Sequence, residues 1–104
     1  MKTMKRIRYY IGLSDNRGNP LNENLISKLY TLVNIYLYNC TIYKALRYYR
    51  GNSEETVIIE VIDNDLKELV DFEKKLKQWI KETNQDSFMK TIEKLKVDFI
   101  NGGV

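Results

Sequence analysis

The amino-acid sequence predicts an α+β domain whose elements follow the order β-α-β-β-α-β. Three observations predict this class. Residues 5–11 alternate with a period of two, two long segments carry apolar residues at helical spacing, and two β-branched segments flank a Gly-Asn-Ser turn. The chain has 104 residues, of which 43% are hydrophobic and 30% are charged. This length and composition predict one folded domain over residues 1–104.

The first strand and the first helix are predicted from residues 5–38. In the strand, Ile7, Tyr9 and Ile11 share one face, and Arg6, Arg8 and Tyr10 share the other. The turn-forming segment SDNRGNP follows, and Asn22 is expected to cap a helix that runs to about residue 38. The core stripe of this helix is predicted to be Leu25, Leu29, Leu32, Val33 and Tyr36.

A hairpin is predicted next, with strands at residues 41–50 and 56–62 and a turn at residues 51–53. The second strand, TVIIEVI, has apolar residues on both faces, which indicates a central position in the sheet. A second helix is expected to start from a cap at Asp63 or Asn64. Its predicted core positions are Leu66, Leu69, Val70, Leu76 and Ile80, with Phe72 and Trp79 flanking them.

The segments SFMKTIEKL and KVDFI are expected to give the last strand with a short appended element. Two right-handed crossovers joined by a hairpin specify a ferredoxin-like architecture, a four-stranded antiparallel sheet with two helices on one face. The expected spatial order of the strands is 4-1-3-2. The opposite side of the sheet, which we call the open face, then carries no helix.

The residue inventory excludes several kinds of chemistry. The chain has no histidine and one cysteine, Cys40, so an intramolecular disulfide and a cysteine-based metal cluster are excluded. We expect no metal and no cofactor. Because no spacing of carboxylates indicates catalysis, we expect a binding protein, although an enzyme that uses Tyr, Lys or an Asp-Glu metal pair stays open.

No apolar segment long enough for a membrane span or a signal sequence is present, so we expect a cytoplasmic protein, in the host cytoplasm if it is phage-encoded.

The net positive charge and all eight tyrosines lie in the first half of the chain. Residues 1–50 hold nine Lys or Arg and two acids, whereas residues 51–104 hold eight and twelve. Arginine beside tyrosine suits an anionic, planar ligand such as a nucleotide, because guanidinium groups bind phosphate and phenol rings stack on bases. The predicted ligand-binding residues are Arg6, Arg8, Tyr10, Arg17, Tyr43, Arg47, Tyr49 and Arg50.

Several alternatives fit the same face. In one alternative, the tyrosines serve only as strand formers, and the arginines of the edge strand form ion pairs with glutamates across the hairpin. Two subunits that press their open faces together would bury Tyr10, Ile58, Ile62 and Met89, so we expect a homo-oligomer, a dimer or higher. Single-stranded nucleic acid is a further candidate partner, although the aromatic signature of RNA-recognition strands is missing from TVIIEVI. A protein of a host defence complex is another candidate partner.

The chain resembles small ferredoxin-like proteins carried by bacteriophages and mobile elements. The resembling features are YIGL in the first strand, the hairpin motif Tyr-Tyr-Arg-Gly-x-x-x-Glu at residues 48–55 leading into VIIEVI, and NQDS before the last strand. The resemblance implies a host-defence antagonist, and some proteins of this kind sequester immune signalling nucleotides without cleaving them. From the polarised charge and the interleaved Tyr and Arg residues, we expect non-enzymatic capture of an anionic nucleotide-like ligand by an oligomer, a role that this resemblance would suit.

Overall fold

A computed structural model describes residues 1–103. Its elements are β1 (Lys2–Gly12), α1 (Glu23–Tyr36), β2 (Thr41–Tyr49), β3 (Asn52–Asp63), α2 (Glu68–Glu82) and β4 (Met89–Val97). The four strands form one antiparallel sheet in the order β2-β3-β1-β4. The predicted ferredoxin-like class and strand order are therefore confirmed.

The core lies between the sheet and the two helices. Three side chains of β1, Ile7, Tyr9 and Ile11, are fully buried there, and Val57, Ile59 and Val61 of β3 lie beside them. The helices contribute Leu29, Val33, Leu69, Phe72, Leu76, Trp79 and Ile80. Each such side chain stabilises the fold by about 1.5–3 kcal/mol through removal of apolar surface from water. The indole N–H of Trp79 also donates to the carbonyl oxygen of Leu25 at 2.8 Å, which joins the helices.

The first helix begins where the sequence predicts. The side chain of Asn22 accepts a hydrogen bond from the N–H of Leu25 at 2.9 Å, so the predicted cap is confirmed. The helix ends at Tyr36, two residues before the expected end, because Leu37 has an extended backbone while its N–H still donates to Val33.

The start of the second helix was predicted wrongly. Asp63 is the last residue of β3, opposite Lys5 of β1, and its carboxylate accepts the N–H groups of Asn64 and Asp65 instead of capping a helix. The helix begins only at Glu68. The buried face of α2 consists of Leu69, Phe72, Leu76, Trp79 and Ile80, so the predicted core position Val70 lies off this face and is 56% exposed, whereas the predicted flanking residues Phe72 and Trp79 are buried.

Two further boundaries differ from the prediction. The hairpin turn is formed by Arg50 and Gly51, both with positive φ, so β3 starts already at Asn52. A two-residue turn of this kind matches the twist of the flanking strands. The last strand is one continuous element, because β4 pairs with β1 along its whole length from Met89 to Val97.

No helix among residues 1–103 is long and apolar enough to cross a membrane.

The first testable prediction concerns the contribution of the buried Tyr9 hydroxyl to stability. It donates to a carboxylate oxygen of Glu73 at 2.8 Å, and Glu73 is also ion-paired with Lys90. Tyr9→Phe removes this hydrogen bond without emptying the ring position, so we expect the free energy of unfolding to fall by about 1 kcal/mol. Urea denaturation at pH 7 measures the change. Tyr48→Phe, at a ring that is 70% exposed, is the control, and equal effects of the two substitutions would contradict the prediction.

Candidate functional site

The open face presents alternate side chains of all four strands. Directly opposite residues of an antiparallel pair share one face of the sheet, and Arg8 of β1 is opposite Glu60 of β3 and Thr91 of β4. By this register the open face holds Arg6, Arg8, Tyr10, Tyr43, Arg47, Tyr49, Ile58, Glu60, Ile62, Met89 and Glu93. The fold thus brings six of the eight predicted ligand-binding residues to one surface.

Two arginines at the centre of this face are already paired within the chain. Arg6 donates to both carboxylate oxygens of Glu93, at 3.3 and 3.0 Å, and Arg8 donates to Glu60 at 2.9 Å. Longer ion pairs join Arg6 to Glu60 at 3.7 Å and Arg8 to Glu93 at 3.8 Å. We call these four residues the Arg–Glu network, and its formal charges cancel.

Contacts within the network and with the neighbouring Tyr43 lower the pKa of Glu60. Burial alone would raise the pKa of Glu60, whose side chain is only 11% exposed, but hydrogen bonds with Tyr43 and Arg8 outweigh it and lower the pKa below 4.5. Hydrogen bonding to Glu60 raises the pKa of both Arg8 and Tyr43. An anionic ligand would have to compete with Glu60 and Glu93 for these guanidinium groups.

The other two predicted residues lie away from the network. Arg50 is at the hairpin turn, where its guanidinium lies 5.3 Å from the centroid of the Tyr49 ring, a cation–π distance. Arg17 is in the loop between β1 and α1, and its backbone N–H donates to the side chain of Asp15 at 2.9 Å. The structure therefore does not assemble all eight predicted residues into one site.

A concave site lies at the Gly12 end of the open face, and we call it the terminal cleft. It has a volume of about 260 Å³. The loop between β1 and α1 and the segment between α2 and β4 form one of its walls. A hydrogen bond of 2.8 Å from the N–H of Asn16 to the carbonyl oxygen of Asn84 joins these two segments. Its lining consists of Tyr10, Gly12, Ser14, Asp15, Asn16, Arg47, Glu54, Gln85, Asp86, Ser87, Phe88 and Met89.

The floor of the cleft depends on a close approach between Gly12 and Glu54. A Cβ atom added at Gly12 would lie 2.5 Å from an Oε atom of Glu54, so any other residue at position 12 would displace that carboxylate. Arg47 is opposite Glu54 in the hairpin, yet no ion pair within 4.0 Å involves Arg47 among the described residues. The cleft therefore offers one guanidinium that no carboxylate of the described chain neutralises at contact distance.

The carboxylates of the cleft are not equivalent. The backbone N–H groups of Asn19 and Arg17 donate hydrogen bonds to the carboxylate of Asp15 and lower its pKa, so this carboxylate stabilises the loop in which it lies. Glu54 and Asp86 make no side-chain hydrogen bond among those found within residues 1–103. These two carboxylates are available as acceptors for hydroxyl or amino groups of a ligand.

Sequence reasoning found only part of this cleft. Tyr10 and Arg47 were predicted, whereas Gly12, Glu54 and the segment from Gln85 to Phe88 were missed. Both connecting segments had been noticed in the sequence, as SDNRGNP and NQDS. The signal that could have joined them is topological, because the loops after β1 and before β4 meet at the same end of a ferredoxin-like sheet.

Other features of the described residues offer less chemistry. No group of three or more His, Cys, Asp or Glu residues within residues 1–103 could hold a metal ion. Burial raises the pKa of the Cys40 thiol, which disfavours the reactive thiolate.

Comparisons with known proteins give structural neighbours only. No family model matches the chain, and the comparison with curated proteins gives no match. A phage SAM lyase in the apo state has a TM-score of 0.57 at 16% identity, and the alignment covers 93% of this chain and 92% of the lyase. A phage SAM lyase in complex with S-methyl-5'-thioadenosine has a TM-score of 0.55 at 13% identity, and the alignment covers 94% of this chain and 93% of the lyase. At these identities the likeness shows the shared fold, and the structural neighbours of the chain include a phage protein.

The Arg–Glu network makes a prediction about acid stability. Because the pKa of Glu60 is lower in the folded protein than its ordinary value of 4.5, this group stabilises the fold above about pH 4.5, and the contribution is lost as the pH falls through the folded pKa. We expect Glu60→Gln to lower the free energy of unfolding at pH 7. The difference in this free energy between the variant and the wild type should become smaller as the pH falls toward 3. Urea denaturation at several pH values measures both.

The matched control is Glu55→Gln, an exposed position in the same strand. This variant should follow the wild-type pH profile. A Glu60→Gln curve that runs parallel to the wild type from pH 7 to pH 3 would contradict the prediction.

Proposed function

We propose that the protein is a phage-type binding protein that captures a small nucleoside-derived ligand in the terminal cleft without cleaving it. The single observation that carries this proposal is the juxtaposition in one cleft of the aromatic ring of Tyr10, the guanidinium of Arg47 and the carboxylate of Glu54. A ring can stack on a base, a guanidinium can bind a phosphate, and a carboxylate can accept hydrogen bonds from ribose hydroxyl groups.

The size of the cleft favours a single nucleoside unit. Small-molecule sites commonly have volumes of about 300–1,000 Å³, and the cleft, at about 260 Å³, lies just below that range. Apolar groups for the base are present on one side, where Phe88 and Met89 line the cleft next to Tyr10. A cyclic dinucleotide would extend beyond this volume onto the open face.

The charges favour a ligand with few phosphates. Among residues 1–103, Arg47 is the only Lys or Arg that lines the cleft, and Asp15, Glu54 and Asp86 also line it. Arg6 and Arg8, which were predicted to bind an anion, are held by Glu60 and Glu93. A nucleoside or a monophosphate therefore fits these groups better than a polyphosphate does.

The structural neighbours support the proposal by analogy. A phage SAM lyase with the same fold was determined with S-methyl-5'-thioadenosine, an adenine nucleoside. Fold likeness does not carry function by itself, so the support for this chain rests on its own cleft. The finer role that we propose is antagonism of a host defence through sequestration, in the cytoplasm, of a signalling nucleotide that carries a single phosphate.

The expected alternatives make different use of the open face. Single-stranded nucleic acid would need several unpaired cations along this surface, and the Arg–Glu network reduces their number. A host protein as partner is favoured by the exposed side chains near the hairpin turn, where Leu46, Tyr48 and Tyr49 are 54%, 70% and 62% exposed. Salt-sensitive retention of oligonucleotides, or a host protein that co-purifies through the hairpin, would favour these alternatives.

Calorimetry with four probes tests the proposal: S-methyl-5'-thioadenosine, adenosine monophosphate, ADP-ribose and cyclic di-AMP. We expect measurable binding of the first two and weaker binding of the last two, because the cleft is small and holds one cation. The bound probe should be recovered intact by mass spectrometry. Binding of none of the four would contradict the proposal, and recovery of a cleaved nucleoside would replace capture by catalysis.

Substitutions in the cleft provide the matched controls. Tyr10→Ala should weaken binding by about tenfold to hundredfold, since stacking on one aromatic ring contributes about 1–3 kcal/mol. Gly12→Ala should also weaken binding because it displaces Glu54. Tyr38→Ala, at a ring that is 96% exposed, lies outside β2 and does not line the cleft, so this variant should bind as the wild type does.

A further inference from the structure

The outer edge of β2 is an unpaired nine-residue strand edge. All residues from Thr41 to Tyr49 pair with β3 on the inner side, and the strand order leaves the outer side of β2 without a neighbour among the described residues. Its backbone N–H and C=O groups are therefore available to another strand.

The two edges of the sheet are protected to different degrees. The other edge strand, β4, carries Lys90, Glu93, Lys94 and Lys96, and charged side chains of this kind oppose edge-to-edge pairing. In β2 only Lys44 and Arg47 are charged, and the strand contains neither proline nor glycine. Apolar and aromatic side chains make up most of the remainder, so β2 carries fewer of the features that oppose edge-to-edge pairing than β4 does.

We propose that β2 pairs antiparallel with β2 of a second copy of the chain, about a two-fold axis through Ala45. The two sheets then form one continuous eight-stranded sheet, with all helices on the same side. In this register the opposing pairs are Ala45 with the partner's Ala45, Lys44 with the partner's Leu46, Tyr43 with the partner's Arg47, Ile42 with the partner's Tyr48, and Thr41 with the partner's Tyr49.

The register follows from symmetry and charge. An antiparallel two-fold pair that keeps both open faces on one side must be centred on a residue, because opposing residues share a face. Centres at Lys44 or Arg47 would set like charges directly against each other, which is destabilising. The centre at Ala45 engages all nine residues, opposes no like charges, and puts a small side chain on the axis.

The pairs at this register are also favourable by type. The guanidinium of Arg47 meets the ring of the partner's Tyr43 on the open face, a cation–π arrangement. On the helix side, Ile42 meets the ring of the partner's Tyr48, and aromatic–β-branched pairs across strands contribute roughly 0.2–1 kcal/mol. The exposed ring of Tyr48 and the exposed side chain of Leu46 are both covered.

The dimer would also complete the terminal cleft. Arg47 lines the cleft, and in the dimer the partner's Tyr43 lies against it and holds its guanidinium in place. This consequence rests on the proposed function, whereas the strand pairing itself does not. Failure of ligand binding in a protein that still dimerises through β2 would therefore contradict the function and leave the pairing intact.

Position 46 allows a charge test in which effects within the chain and between chains have opposite signs. Leu46 is opposite Glu55 within its own hairpin and opposite the partner's Lys44 in the proposed dimer. Leu46→Lys places a lysine opposite Glu55 within the chain, which is favourable, but opposite the partner's Lys44 between chains, which is unfavourable. We therefore expect the dissociation constant of the dimer to be at least tenfold higher than that of the wild type. Leu46→Glu is unfavourable within the chain but pairs with the partner's Lys44, so the dimer should persist.

Sedimentation of both variants and the wild type at low and high salt measures the effect, and thermal unfolding confirms that each variant is folded. A wild type that is monomeric at all concentrations up to about 200 μM, or equal dissociation constants for the two variants, would overturn the proposal.

Crosslinking tests the axis directly. Ala45→Cys in a Cys40→Ser background should form a disulfide-linked dimer with oxidised glutathione, because Cβ atoms of directly opposed residues are about 4.5–5.5 Å apart and little movement is needed for a disulfide. Lys94→Cys in the same background, on the charged edge β4, should stay monomeric under the same conditions. A dimer in solution that crosslinks through position 94 and not through position 45 would overturn the proposed pairing.

Discussion

The structure depends on the central position of β1. This strand is paired along both edges, with β3 on one side and β4 on the other, so its alternation is imposed on two neighbours at once. Ile7, Tyr9 and Ile11 direct the core toward the helices, and the residues between them define the open face. A shift of one residue would exchange the core with the Arg–Glu network, which makes the register of β1 the constraint that all other surfaces follow.

The same constraint places the terminal cleft. Gly12 is the last residue of β1 on the open face, and it lies where the loop after β1 and the segment before β4 come together. Because Gly12 has no side chain, the carboxylate of Glu54 reaches over the backbone of the central strand. The cleft is therefore polar at its floor and aromatic at its side, although no single segment of the sequence contains both kinds of group.

The fold could be predicted from local patterns, whereas the site could be predicted only in part. Period-two alternation in β1 and the cap at Asn22 are local, and both were confirmed. The wrong start of α2 arose because Asp63 resembles a helix cap locally but is held in the sheet opposite Lys5. Contacts such as those of Arg6 with Glu93 join residues 87 positions apart, and no spacing in the sequence reports them.

The charge asymmetry of the sequence is cancelled at the centre of the open face, in the Arg–Glu network. Three cations of the first half, Arg6, Arg8 and Lys28, form ion pairs with acids of the second half, because both crossovers bring distant strands and helices side by side. A basic segment therefore predicts an anion site only where the fold leaves its cations unpaired. On the open face that condition is met at Arg47, next to the cleft, so the selectivity of the site depends on one guanidinium and on the carboxylates around it.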